Sequence, residues 1–160
     1  HERTADCVVA GYRLYRNETD AVGSLLLGLY DEQGQLNSVG VIGAFPMARR
    51  RELFEELQPL ITGLDDHPWA PEKPGEETQR TPTSSAHSRW NAKKDLSFVP
   101  LRPERVVEVR YDHMEGIRFR HTAQFVRWRP DRDPESCTYA QLEEPLSYDL
   151  SEVFGLTPPS

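Results

Sequence analysis

A single change of period at Pro46 constrains the fold of this sequence more than any other feature. Before it, Cys7 to Tyr15, Ser24 to Tyr30 and Leu36 to Ala44 are runs of β-branched, apolar and aromatic residues. Asn17, Asp20 and Gly23 separate the first two runs, and Asp31 to Gln35 separates the next, with Gly34 available for positive φ. Such runs between turn-formers predict a three-stranded antiparallel meander. After Pro46, Leu53, Phe54, Leu57, Leu60 and Ile61 recur at one, three and four residues. That spacing predicts one amphipathic helix, with Arg49 to Arg51 and Glu55–Glu56 away from its apolar face.

From Asp65 to Lys94 periodicity is lost in a stretch rich in Pro, Gly, Glu, Ser and Thr, which offers little apolar surface to offset ordering; a mobile loop is expected there. Strand patterns return at Leu96 to Val99, Arg105 to Tyr111 and Arg118 to Trp128, and Met114 to Gly116 marks a hairpin turn. The fold class expected is all-β with one helix. A helix after the third of five or six strands is the order of the OB-fold, a five- to six-stranded Greek-key barrel. A β-sandwich competes but has no need of that helix. The length suits one domain over 1–150, with 65–94 as a flexible loop insertion and 151–160 as a C-terminal tail.

No stretch approaches the roughly 18–20 consecutive apolar residues of a membrane span, so no membrane association is expected. HERTADCVVAGYR runs directly into a strand pattern without the regions of a signal peptide, so the start at His1 reads as processing or a fragment boundary. Cys7 and Cys137 give neither metal-ligand spacing nor a disulfide framework; two buried, inert thiols and a cytoplasmic location are expected. A net charge of −7 argues against indiscriminate coating of nucleic acid. The charge is segregated, however. Arg118 to Arg132 carries five arginines with Asp131 as its only acid, whereas acids gather at 52–56, 65–66, 72–77 and 143–152.

The densest candidate for chemistry lies in RFRHTAQFVRWRPDRDP, where Arg127, Arg129 and Arg132 surround Asp131. Guanidinium groups stay charged and bind phosphate oxygens as a fork, so three within six residues make a phosphate clamp plausible. Alternation along a strand puts Arg127 and Arg129 on one face and Val126 and Trp128 on the other. Asp131 could orient Arg129 or Arg132, or reach magnesium through water. The plainer reading is a solvated edge strand whose charges discourage aggregation. Trp128 reads as a packing residue sooner than a base-stacking one. His1, His67, His87, His113 and His121 show no zinc-site spacing, no metal site is assigned, and Asp112 and Glu115 read as turn residues.

Three segments carry a family resemblance. TADCVVAGYR resembles the strand that follows motif V in ATP-dependent DNA ligases, where the chain enters the OB domain. FVRWRPDRDP is similar to ligase motif VI, whose Arg-x-Asp-Lys/Arg core is here Arg129, Pro130, Asp131 and Arg132. PERVVEVRYDHMEGIRFRH resembles the strand pair leading into motif VI, and SLLLGLYDEQGQLNSVGVIG fits the preceding pair. The likeness covers nearly all of residues 1–145 and is nearest to the short actinobacterial ligase C type. It departs before the last strand: many relatives have Arg-Phe-Pro-Arg-Phe, where this chain has His121, Thr122, Ala123, Gln124 and Phe125.

The resemblance implies the C-terminal OB domain of an enzyme that seals nicks in DNA replication, repair and recombination. Lysine is adenylated by ATP, AMP passes to the 5′-phosphate, and the 3′-hydroxyl displaces it. Arg129, Asp131 and Arg132 are then the catalytic set, with Arg127, Arg129 and Arg132 on the ATP phosphates. ATP and Mg2+ would be held mainly by the nucleotidyltransferase domain, which carries the lysine and motif V; this chain alone would be inactive. Arg13, Arg16, Arg89, Lys93, Lys94, Arg102, Arg118 and Arg120 are the candidates for contact with nicked double-stranded DNA. The implied enzyme is a cytoplasmic, nucleoid-associated monomer. The alternatives are a stand-alone OB module binding single-stranded nucleic acid or a protein, which calls for interleaved aromatics, a purely structural barrel, and the OB domain of an mRNA-capping guanylyltransferase. The TADCVV start favours ligase.

Overall fold

The computed structural model describes residues 3–70, 81–82 and 98–142. Among the described residues the strands are β1 (Arg3–Leu14), β2 (Val22–Tyr30), β3 (Leu36–Ile42), β4 (Val99–Tyr111), β5 (Met114–Glu115), β6 (Arg118–Phe119) and β7 (Gln124–Trp128), with one α-helix, α1 (Met47–Leu57). Five strands form an antiparallel sheet in the order β3-β2-β1-β4-β7. Its outer edges meet where Ala123 bridges Ile42 and its N–H donates to the Val41 carbonyl at 2.9 Å, which joins β7 to β3 and closes the barrel. The expected class, an OB-type barrel with a helix after the third strand, is what forms.

The local chemistry explains the turns. Gly34 takes φ of 80° between β2 and β3, where Asp31 Oδ1 accepts from the N–H groups of Gln33 and Gln35. Gly116 takes φ of 65° in the β5–β6 turn. The central strand β1 is buried continuously from Ala5 to Tyr12, and β2 from Leu25 to Leu29, so both pack on two faces.

The helix has no side-chain cap, no acid in its first turn and no base in its last, so tertiary packing sustains it. Leu53 and Leu57 are fully buried, each contributing roughly 1.5–3 kcal/mol, and Phe54 meets Tyr12 edge to face at 6.3 Å. Three sequence expectations are corrected here. The helix stops at Leu57 because Pro59 cannot continue its hydrogen bonding; Gln58–Leu60 is a 3₁₀ turn, and Ile61 is exposed. Arg50, expected off the apolar face, is buried: its guanidinium donates to the carbonyls of Val22 (3.0 Å), Gly23 (2.7 Å) and Gly43 (2.8 Å) and lies 4.2 Å from the Tyr15 ring centroid. Val99, the end of the run expected at 96–99, and the run expected at 105–111 belong to one strand, β4, whose register skips from Arg105 opposite Val9 to Pro100 opposite Gly11; Leu96 and Ser97 lie outside the described residues. Pro103, which has no N–H to give the ladder, falls in that bulge.

The segment expected to run unbroken from Arg118 to Trp128 is two strands. β6 pairs with β5, and Phe119 stacks on Tyr111 at 4.6 Å; only β7 joins the main sheet. Gly40 admits Phe119, because a Cβ there would lie 2.7 Å from its ring. The opening of the expected mobile loop is also ordered: Leu64–Asp66 is a 3₁₀ turn, and His67 and Trp69 are buried. Residues 71–80 and 83–94 of that loop and the 151–160 tail lie outside the described residues.

His67 fixes that turn on the barrel. Its Nε2 lies 2.7 Å from the Ala10 carbonyl and must donate, while Nδ1 accepts from the Trp69 N–H at 3.0 Å, so the ring is held as its neutral tautomer. Burial pushes its pKa down, against a smaller opposing effect of the backbone at Ala10 and Leu101, which accepts hydrogen bonds from the ring. The folded protein therefore binds this proton more weakly than the unfolded chain. His67 contributes stability that is present above the ordinary histidine value of about 6.5 and lost as pH falls through the lower folded value. Urea unfolding on either side of that value should show the midpoint falling on the acid side, with a shallower pH dependence in His67→Gln.

Candidate functional site

The strand order places an acid of β1 beneath the arginines that follow β7. Asp6, Glu108 and Arg127 are directly opposite one another across β1, β4 and β7, so all three project from one face. Arg127 donates from Nε to Glu108 Oε1 at 2.6 Å and is otherwise largely exposed. Arg129 lies just past the end of β7, where its N–H donates to the Val106 carbonyl at 2.8 Å and prolongs the ladder by one bond.

Arg129 grips Asp131 as a two-point fork, Nε to Oδ1 at 3.1 Å and Nη2 to Oδ2 at 3.2 Å, and its Nη1 reaches both oxygens of Asp6 at 3.4 Å. Arg132 donates from Nη1 to Asp6 Oδ2 at 2.6 Å, from Nε to Ser136 Oγ at 2.7 Å and from Nη2 to the Ser136 carbonyl at 3.2 Å. The turn between them is closed by the Arg132 N–H on the Arg129 carbonyl. Hydrogen bonding from Arg129 holds the Asp131 carboxyl below its usual range, and Asp131, then Asp6, push the Arg129 pKa up. Both groups stay charged across the neutral range. Three guanidinium groups thus share Asp6, Asp131 and Glu108, a cluster of zero formal charge.

Arg127, Arg129, Asp131 and Arg132 therefore converge, as the spacing suggested, and of the options open to Asp131 the structure has it on Arg129. Sequence reading missed Asp6, Glu108 and Ser136. The available signal for Asp6 was an acid inside the apolar run ADCVVA. Trp128 is on the opposite face, edge to face with Phe125 at 5.6 Å, with the Arg105 guanidinium 3.8 Å from its ring centroid; it packs.

The candidate DNA contacts separate. Arg13, Arg118 and Arg120 line one recess of about 210 Å³ together with Ser38, Gly40 and His121. Arg118 donates to Ser38 Oγ at 3.3 Å and to the Thr81 carbonyl at 2.5 Å, and burial lowers its pKa. Arg120 is exposed, with Nη1 3.3 Å from His113 Nε2. Arg16 and Arg102 do not line this recess; Arg16 lies over the Tyr15 ring and Arg102 pairs with Glu104 and the Pro59 carbonyl. Arg89, Lys93 and Lys94 lie outside the described residues. Gln124, on the exposed face of β7, accepts from Arg110 Nη1 of the neighbouring strand at 3.2 Å. Among the described residues no group of three His, Cys, Asp or Glu side chains could hold a metal ion, and no helix is long and apolar enough to cross a membrane.

A closed barrel of mainly antiparallel strands with a helix after β3 and an arginine-carboxylate cluster following its last strand defines an OB-fold domain. The chain belongs to the family described as the ATP dependent DNA ligase C terminal region, which matches residues 18–132. It is 71% identical over 155 residues to DNA ligase C of Mycobacterium tuberculosis, covering 96% of this chain and 42% of that protein. It is 68% identical over 146 residues to DNA ligase C2 of Mycolicibacterium smegmatis, covering 91% of this chain and 41% of the relative. The chain thus spans about two-fifths of the length of these relatives. Among solved structures it resembles the ligase domain of M. tuberculosis LigD, with a TM-score of 0.62 at 26% identity over 86% of this chain and 39% of that one. A mycobacterial DNA ligase D complexed with ATP and MES matches with a TM-score of 0.59 at 26% identity, over 86% of this chain and 38% of the other.

Proposed function

We propose that this chain is the OB domain of a cytoplasmic ATP-dependent DNA ligase, closing over ATP during lysine adenylation and clamping nicked duplex DNA during strand joining. The observation that carries the first role is the convergence of Arg127, Arg129 and Arg132 on one edge, with motif VI intact at Arg129, Asp131 and Arg132. In adenylation the lysine amine attacks the α-phosphate of ATP, the bond to the β-phosphate breaks, and pyrophosphate leaves with the electron pair. Guanidinium groups on the β- and γ-phosphates stabilise that departing charge without themselves bonding to the reacting phosphorus. Asp131 and Asp6 already have their oxygens on arginine, so Mg2+ enters this reading as part of the nucleotide substrate, held by the nucleotidyltransferase domain.

A separately produced nucleotidyltransferase domain mixed with this chain should form enzyme-adenylate from labelled ATP faster than either part alone. No stimulation, together with tight binding of single strands by this chain by itself, would instead favour an independent nucleic-acid-binding module.

For the later steps the domain swings away and lays the Arg13, Arg118 and Arg120 recess along the DNA backbone. Replacing Arg120 by Ala in the full-length ligase should weaken binding to nicked duplexes by a similar factor whatever their sequence. The slope of log affinity against log salt should become shallower by about 0.9, one phosphate contact. Titration by fluorescence anisotropy at several salt concentrations measures it, and an unchanged slope would remove Arg120 from the interface.

A further inference from the structure

We propose that Asp6 is a positioning residue for lysine adenylation: a buried carboxylate that holds Arg129 and Arg132 side by side while the outer edge of Arg129 can exchange its partner. The proposal rests on the reading of motif VI given above.

The two carboxylates that share Arg129 differ in kind. Asp131 is 69% exposed, two residues along an open turn, and occupies the Nε–Nη2 edge of Arg129. A rotation of its side chain vacates that edge, the same two-point geometry a phosphate would take. Asp6 is 9% exposed and sits within the central strand. Its backbone N–H donates to Gln141 Oε1 at 2.9 Å and its carbonyl accepts from Gln141 Nε2 at 3.0 Å, so one side chain holds both backbone groups on that strand edge. Burial in the central strand leaves the Asp6 carboxylate less room to turn than the exposed Asp131 has. Asp6 takes the Nη1 of both arginines from beneath, and this inner attachment sets the spacing and direction of the pair. Without it, two like charges on adjacent segments would spread apart and each side chain would regain its rotamers, to be ordered again at every turnover.

The split between steps tests this in the full-length enzyme. Asp6→Asn keeps the shape and removes the charge. It should slow adenylation about tenfold or more, with little change in the KM for ATP, while sealing of pre-adenylated nicked DNA, which bypasses the first step, proceeds at the parent rate. Adenylation at the parent rate would overturn the proposal. So would equal slowing of both reactions, which would make Asp6 a general structural residue. If Asp6→Asn does not fold, Asp6→Glu carries the test: the charge remains but is displaced by a methylene, and an undiminished adenylation rate would again overturn the role. Arg129→Ala run alongside separates the two levels. If Arg129→Ala is crippled while Asp6→Asn is normal, only the positioning role falls; if Arg129→Ala is also normal, the motif VI reading falls and the positioning role with it.

Discussion

Replacing Arg129 by alanine in the proposed full-length ligase is expected to lower the rate of lysine adenylation about 10²- to 10³-fold, the range seen when one charge-stabilising donor is removed from a transition state. The size of the effect follows from where Arg129 stands. It is the member of the cluster tied to both Asp6 and Asp131, so its loss removes a proposed phosphate ligand and leaves the exposed Asp131 carboxylate without its arginine, while Asp6 keeps Arg132. The uncompensated Asp131 then repels the β- and γ-phosphates. Asp131→Ala should slow adenylation less, because Arg129 keeps its inner attachment to Asp6. Single-turnover adenylation with labelled ATP measures both. Sealing of pre-adenylated nicks should be nearly unaffected in each, and a loss there equal to the loss in adenylation would argue against a role confined to the first step.

The second large effect concerns stability. Arg50→Ala should cost about 2–4 kcal/mol, read as a lower urea midpoint with an unchanged slope. Three carbonyls, of Val22, Gly23 and Gly43, lose their donors in a place where water does not replace them readily, and the Tyr15 ring loses the guanidinium packed against it. The site has no slack on the sheet side: a Cβ on Gly23 would lie 2.7 Å from the Leu14 carbonyl. Arg50→Lys should recover only part of the loss, because one ammonium cannot span three acceptors that a planar fork reaches together. The neighbouring Arg49 and Arg51, which pair with Glu52, Glu56, Glu18 and Asp20 at the surface, should be worth at most about 1 kcal/mol each when replaced.

These residues also mark how far the sequence could be read. The meander, the helix after it and the turns at Gly34 and Gly116 were legible because local periodicity and turn chemistry dictate them. The convergence of Arg127, Arg129, Asp131 and Arg132 was legible for the same reason, being local to one strand end. Arg50 was not, since a helical wheel sorts residues by polarity and cannot see three carbonyls waiting in another element. Asp6 lies 123 residues before Arg129, and only the pairing of β1 with β4 and of β4 with β7 brings them together. His67 and Trp69 were submerged in a segment whose composition reads as loop, although Trp69 donates to the Leu36 carbonyl and anchors the start of that segment to β3. The bulge in β4 hid a continuous strand behind two prolines.

The arginine edge brings its own counterions: three guanidinium groups are matched by Asp6, Asp131 and Glu108. An edge balanced in this way casts little field into solution, so it does not gather free nucleotide from a distance as an uncompensated basic cleft would. In the proposed enzyme it has no need to. Its ligand arrives already seated on a tethered neighbour, at the millimolar effective concentration that a short linker provides, and a grip that is weak on its own then suffices to close. The same weakness eases reopening. A domain that must release the nucleotide before it can embrace DNA is better served by trading one carboxylate for one phosphate than by binding that phosphate tightly.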